Sequence, residues 1–273
     1  MQSYQISRGE VSDELAALRS ECRATLTSPP DGMWEAFRAQ AQPWIIRQQD
    51  QAVGFALVDE AQQLLQFYVQ PPHLPAHLNL FAQLLEETKV KSGIVGTHQP
   101  IYLSTALHFV QHLQVHTYLF RELVAQVVDE RKGELLEATP ANLKQLVDFC
   151  HYSVGAPPEW LNTYLGGLIS RQELFYLLLN DTVVGTCEVR KNSSVPTYAD
   201  IGMIVSPDFR RQGYGTHLLG QAKRIAQQRS LIPICSCETG NHGSLRAIHA
   251  NGFRSAHQLL SVSFSGQVVS AIH

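Results

Sequence analysis

Apolar residues recur along this chain in two rhythms, one with a period near two and one near 3.6, separated by polar turns. Residues 3–9 alternate and predict a strand. Ser12 then stands where a helix cap belongs, and Leu15, Leu18 and Cys22 share one face of the helix it opens. A helix over 33–41 leads into the apolar runs PWIIRQQ and AVGFALVDE. Residues 62–69 read as a strand, 77–90 as a helix, SGIVGTH as a short strand, 102–113 as a helix and 115–123 as a strand. The segment DERKGELLEA (129–138) is charged and poor in bulky apolar groups before Leu135, so it predicts a division into residues 1–130 and 131–273.

Beyond that segment the order of elements repeats. GELLEAT is a strand, and 142–154 and 158–170 are helices. ELFYLLLND and VVGTCEVRK are strands joined at Asn180-Asp181, a dipeptide suited to the positive φ of a hairpin turn. Residues 198–208 form a strand, 214–230 a helix, LIPICSCET a strand, 243–252 a short helix and FRSAHQLLSVSF a last strand. The repeat also aligns residue on residue. QAVGFALV (51–58) matches TVVGTCEV (182–189), Val69 matches Val205 and Pro71 matches Pro207, which predicts an internal duplication.

Composition narrows the function classes. The 273 residues carry 21 Lys and Arg against 24 Asp and Glu, a formal charge of -3, so no nucleic-acid footprint is expected. Mean hydropathy is -0.10 and no apolar run is long enough to span a membrane. The N-terminus lacks a basic stretch followed by an apolar core, so no secretory signal is read there and a cytoplasmic protein is expected. Five cysteines, an odd number without framework spacing, read as reduced thiols. Cys235 and Cys237 lie on one side of a strand with no second pair at finger spacing, so no metal is expected.

The chemistry concentrates in IGMIVSPDFRRQGYGTHLLG, 201–220. A strand runs into Pro207, then Arg210, Arg211, Gln212, Gly213, Tyr214, Gly215 and Thr216 lead into a helix. Glycines at such a turn let backbone N–H groups approach an anion, and the positive helix end with two arginines suits a pyrophosphate. Leu218 stands where a dinucleotide fingerprint needs a third glycine, and the Gly-Lys-Ser/Thr of a Walker loop is absent.

Arg210-x-x-Gly213-x-Gly215, following Val205-Ser206-Pro207 and preceding a long amphipathic helix, resembles the acyl-CoA loop of the GNAT N-acetyltransferase superfamily. Asn241-His242-Gly243-Ser244 and the terminal Gly252-Phe253 resemble that family's downstream pattern. The resemblance covers about 133–273 well; residues 1–130 share only the order of elements. It implies an α/β (α+β) GNAT fold in tandem, each sheet mixed and mostly antiparallel with splayed central strands, and a degenerate first half.

By resemblance, Met203, Ile204 and Val205 would pair with the pantetheine amides of acetyl-CoA, Arg210 to Thr216 would hold its pyrophosphate, and Asn241 and Ser244 would lie near the thioester. The alternative reading of Asn241 is a helix N-terminal or turn residue. The implied reaction is acetyl transfer to the primary amine of a small molecule or amino-acid-like acceptor in a ternary complex. A protein N-terminus or lysine is a second acceptor class, and a non-catalytic acyl-CoA-binding protein is the alternative. The base that deprotonates the amine is sought among Asp200, Glu238 and Glu188. Ile248 stands where the family often has a Tyr acid, leaving Tyr214, His249 or water for that role, or departure of CoA as a thiolate. Against Arg210, Gly213 and Gly215 the first half offers Leu74, His77 and Asn79, so no acyl-CoA is expected there. That half would instead shape the acceptor site or a dimer contact. A monomer or a homodimer is expected.

Overall fold

The computed structural model of the chain describes residues 3–125 and 131–265. Two compact units arise, one from residues up to Tyr118 together with those from His257 onward, the other from Leu119–Ala256. The expected division between 130 and 131 falls at the edge of residues 126–130, which lie outside the described residues.

The first unit contains β1 (Tyr4–Arg8), α1 (Asp13–Ala24), α2 (Gly32–Gln40), β2 (Gln42–Gln48), β3 (Gln51–Val58), β4 (Gln63–Val69), α3 (His77–Thr88), β5 (Ser92–Gly96), α4 (Pro100–Ala106) and β6 (Val110–Glu122), the last four residues of β6 belonging to the second unit. Helix α1 starts where its cap predicts: the Leu15 N–H donates to Ser12 Oγ at 3.2 Å, and Leu15, Leu18 and Cys22 are buried. The first four strands run antiparallel in order. Strands β4 and β5 are parallel neighbours only at Gln63↔Ser92 and Leu64↔Gly93, and then their pairing stops. Phe81 anchors the apolar core, with ring centroids of Phe67 and Phe109 each 5.0 Å away.

The same unit also has a polar interior. Arg38, almost fully buried on α2, pairs with Glu35 at 2.9 Å. His98, 1% exposed after β5, has no hydrogen-bond partner on either ring nitrogen among the described residues. Burial, reinforced by the Arg38 charge and by His257, pushes this imidazole down to about 3.

The helix expected over 102–113 is shorter than its period implied. Helix α4 ends at Ala106, and the Phe109 N–H donates to the Ala106 carbonyl at 2.8 Å to close the turn. The Phe109 carbonyl accepts the Ser265 N–H at 2.9 Å, and β6 begins at the next residue. Pairing with a segment distant in sequence claims residues that the helical period assigned to the helix.

The second unit contains β7 (Glu134–Glu137), α5 (Leu143–Val154), α6 (Pro158–Ser170), β8 (Leu174–Leu179), β9 (Thr182–Lys191), β10 (Tyr198–Val205), α7 (Tyr214–Gln228), β11 (Ile232–Glu238), α8 (His242–Ala250) and the start of β12 (Phe253–Phe264). Asn180 and Asp181, both at positive φ, form the two-residue turn read from the sequence. The strand order is β7-β8-β9-β10-β11, and β6, whose end belongs to this unit, lies next to β11. Lys223 of α7, buried, donates to Glu122 at 2.9 Å and to the Asn251 carbonyl at 3.1 Å, tying the end of β6 to this unit.

Each unit therefore completes its sheet with a strand from the other half of the sequence. Residues Leu259 to Ser263 of β12 pair antiparallel with Gly96 to Ser92 of β5. The duplication reappears as register: Gly54 pairs with Val69 in the first unit and Gly185 with Val205 in the second. Both glycines are required by close approach, since a Cβ would lie 2.5 Å from the Tyr68 carbonyl in one case and 2.6 Å from the Ile204 carbonyl in the other.

Candidate active site

Strands β10 and β11 pair in parallel at Tyr198↔Ile232, Ala199↔Pro233 and Asp200↔Ile234, and no further. On its other edge β10 stays paired with β9 as far as Val205↔Gly185, so the opening lies on the β11 side. A cavity of about 830 Å³ opens there, lined by Met203, Ile204 and Val205 of the unpaired stretch of β10. A backbone whose partner strand has moved away keeps unused N–H and C=O groups, the arrangement that an extended amide-bearing ligand can complete as an added strand.

The cavity floor is the turn into α7. Ser206 ends β10: its N–H donates to the Val184 carbonyl at 2.9 Å, and its hydroxyl caps the turn at Asp208. Arg211 (φ 61°) and Gly213 (φ 87°) then reverse the chain. Gly213 is the cap residue of α7 and offers no side chain to the first helical N–H groups, so their partial positive charge remains available to a ligand. Arg211, Gly213, Gly215 and Thr216 all line the cavity.

The two motif glycines answer different demands. A Cβ on Gly213 would lie 2.7 Å from Nε and Nη2 of Arg131, besides being strained at that φ. A Cβ on Gly215 would meet nothing closer than Val205 Cγ2 at 3.7 Å. No atom of the described residues requires the second glycine; the space a side chain would fill belongs to the cavity. A phosphate-bearing cofactor fits that cradle.

Arg210 lines the cavity, but its guanidinium is engaged. Nη2 donates to the Ser153 carbonyl at 2.7 Å and Nε to the Val205 carbonyl at 3.3 Å, fastening the turn to the end of α5. Gln212 closes the turn by donating to the Asp208 carbonyl at 3.1 Å, and Tyr214 is buried edge-on against Phe209. Neither lines the cavity. On the opposite wall, the Asn241 side chain caps α8 by accepting the Ser244 N–H at 3.1 Å, and both residues face the cavity, so cap and lining are one arrangement.

The acetyltransferase (GNAT) domain family matches residues 11–123, and the acetyltransferase (GNAT) family matches residues 141–253. The chain belongs to the GNAT acetyltransferases, with two domains in tandem. Among solved structures, a GNAT-family acetyltransferase from Colwellia psychrerythraea shares 28% identity at a TM-score of 0.91, covering 96% of this chain and 100% of that one. A GCN5-related N-acetyltransferase from Sphaerobacter thermophilus aligns at 15% identity and TM-score 0.68 over 95% of both chains. A tandem GNAT protein from the clavulanic acid biosynthesis pathway aligns at 14% and 0.67, over 98% of this chain and 100% of that one; these last two show likeness of fold. No curated protein matches the chain.

Within this GNAT chain the acidic candidates have unequal settings. Asp200 is buried at the last paired rung before the opening and accepts a hydrogen bond from Asn192 at 2.9 Å, while Asn192 Oδ1 accepts the N–H groups of Ser194 and Val195. Glu238 is exposed at the end of β11. Neither lines the cavity. Glu188 lies across from Gly202, where a Cβ would meet its Oε1 at 2.8 Å. It accepts the Tyr164 hydroxyl at 2.6 Å and has Arg190 Nε at 3.3 Å. Burial, then the Glu188 charge, raises the Tyr164 hydroxyl far above its ordinary value, so the phenol stays a donor. Gly202 and cavity-lining Ile204 are two residues apart on β10 and share a face, while Glu188 itself does not line the cavity.

Sequence reasoning missed Arg246 and His242, both on the wall. The signal was there: Gly243, Arg246, Ala247 and Ala250 follow the i, i+3, i+4, i+7 spacing of one helix face, and all four line the cavity. Ile248 is buried, and His249 stands edge-on to Phe120 instead of facing the cavity. Among the described residues no group of three His, Cys, Asp or Glu side chains could hold a metal ion, and no helix is long and apolar enough to cross a membrane.

Proposed function

We propose that the C-terminal unit transfers the acetyl group of acetyl-CoA to a primary amine of a small or amino-acid-like acceptor, by direct attack in a ternary complex. The observation that carries this reading is the β10–β11 opening above an uncapped helix end whose Gly215 leaves a Cβ-sized space. Pantetheine would extend along Met203 to Val205, with its phosphates at Gly213 to Thr216 and Arg246 beside them. The amine nitrogen attacks the thioester carbonyl carbon, the C–S bond breaks, and the amine proton passes to a carboxylate. We assign that proton to Glu188, through water, because it lies across from Gly202, the residue before cavity-lining Met203; like Asp200 and Glu238 it does not itself line the cavity, and it is held by Tyr164 and Arg190. CoA departs as a thiolate or takes a proton from His242.

The N-terminal unit takes no acyl-CoA in this reading. Its corresponding turn carries Pro71, Pro72 and Pro75, which lack N–H groups, and His77 Nδ1 is held against the Leu74 carbonyl. One specific observation favours a non-catalytic acyl-CoA-binding protein instead: Ile248 is buried at the acid position and no Tyr lines the cavity.

Calorimetry with acetyl-CoA, then a free-thiol assay over a panel of amines, tests both readings. One site per chain is expected, lost in Gly215→Glu without loss of thermal stability. Thiol release is expected in the wild type and slowed by about a hundredfold or more in Glu188→Gln. Binding without thiol release for any amine selects the binding-protein reading, and no binding at all overturns both.

A further inference from the structure

The positive charge at the phosphate loop does not come from the motif alone. We propose that Arg131, from the segment between the two halves, is a pyrophosphate-binding residue acting with Arg211, while Arg210 serves as a strut. This rests on the acetyl-CoA reading of the cavity above.

Geometry puts Arg131 on the loop. Its Nε and Nη2 both stand 2.7 Å from the position a Cβ of Gly213 would occupy, so the guanidinium lies directly on that glycine. The placement is anchored, because the Arg131 N–H donates to Nδ1 of buried His217, one turn into α7, at 3.2 Å. Arg131 is exposed, and its guanidinium has no acceptor among the described residues. Arg210 spends its donors on the Ser153 and Val205 carbonyls.

Electrostatics supplies the second reason. The N-terminus of a helix carries partial positive charge, so a cation there is of the wrong sign for stability. The chain nevertheless sets Arg131 against the cap residue of α7 and holds Arg211 two residues earlier in a left-handed conformation that favours glycine. Arg211 on the cavity lining, Arg131 packed on lining Gly213 though not itself on the lining, and the uncapped helix end, with no carboxylate among the lining residues, form a site completed by a polyanion. A planar guanidinium bridging phosphate oxygens is the recognition such a site offers. Gly213 is then glycine so that Arg131 can come close, and Gly215 so that the ligand can.

The test uses the full chain carrying Arg131→Gln, calorimetry with acetyl-CoA and with 3′-dephospho-acetyl-CoA, and melting of the unliganded protein. Affinity is expected to fall by about ten- to a hundredfold for both ligands, the worth of one charge-assisted hydrogen bond. Unliganded melting should stay level or rise, because a cation has left the helix N-terminus. Wild-type affinity in the variant overturns the proposal. A loss confined to acetyl-CoA overturns the pyrophosphate assignment in favour of the 3′-phosphate. A fall in unliganded melting temperature that accounts for the lost affinity makes Arg131 a structural prop and overturns it as well. Should the wild type itself bind neither ligand, the acetyl-CoA reading fails first, a result separable from the failure of Arg131 alone.

Discussion

Gly213 and Gly215 are two residues apart and belong to one motif, yet side chains placed on them would meet opposite fates. Gly213→Ala forces an L-residue to φ 87° and drives its methyl into the Arg131 guanidinium, so a loss of about 1–2 kcal/mol is expected from conformation alone. Gly215→Ala lies inside a helix turn with ordinary contacts, and helix propensity favours it by about 0.5–1 kcal/mol. Chemical denaturation should therefore show the first variant less stable than the wild type and the second equal or more stable. Calorimetry should show both weakened toward acetyl-CoA. Equal stability losses would contradict the division of roles. The loop itself was legible in the sequence because glycines, arginines and a following helix are local properties. Arg131 was not, since its contact crosses about 80 residues and no local pattern marks it.

Elements were legible wherever their stabilisation is local. The Ser12 cap and the Asn180-Asp181 turn each depend on a few neighbouring residues, and both stand where they were read. Helix α4 was read too long because Phe109 is claimed by Ser265, a partner the period cannot see. The loop after β5 holds another such feature. His98 has no hydrogen-bond partner among the described residues, and burial, reinforced by the Arg38 charge and by His257, pushes its imidazole down to about 3 from an ordinary value near 6.5. The unfolded chain thus binds a proton between these values that the folded protein refuses. Stability from this group is complete above pH 6.5 and falls as the pH drops toward 3, by at most about 1.4 kcal/mol per pH unit. His98→Gln should flatten this part of the stability–pH curve; an unchanged slope would show that other groups set it.

For the whole molecule, the exchange of closing strands matters more than the position of the linker. A cut between residues 130 and 131 takes the Glu122 partner away from Lys223 and takes residues 259–263 away from β5. Neither fragment has its full sheet, so each alone is expected to aggregate or melt early, while the two expressed together should copurify and bind acetyl-CoA. Independent, monomeric, cooperatively melting fragments would contradict this. The duplication was readable from the aligned glycines and valines, which recur in register at Gly54↔Val69 and Gly185↔Val205. The exchange was not, because an alternating strand fits either sheet equally well.

That exchange also sets a clock on synthesis. Strand β5 leaves the ribosome roughly 170 residues before the end of β12, its eventual neighbour, so at about 5–20 residues per second the first sheet waits on the order of ten to thirty seconds with one edge open. An open strand edge invites pairing with other chains. The N-terminal half is the earliest made and the last finished, and the nascent chain is most exposed to misassembly while its second half is still being translated.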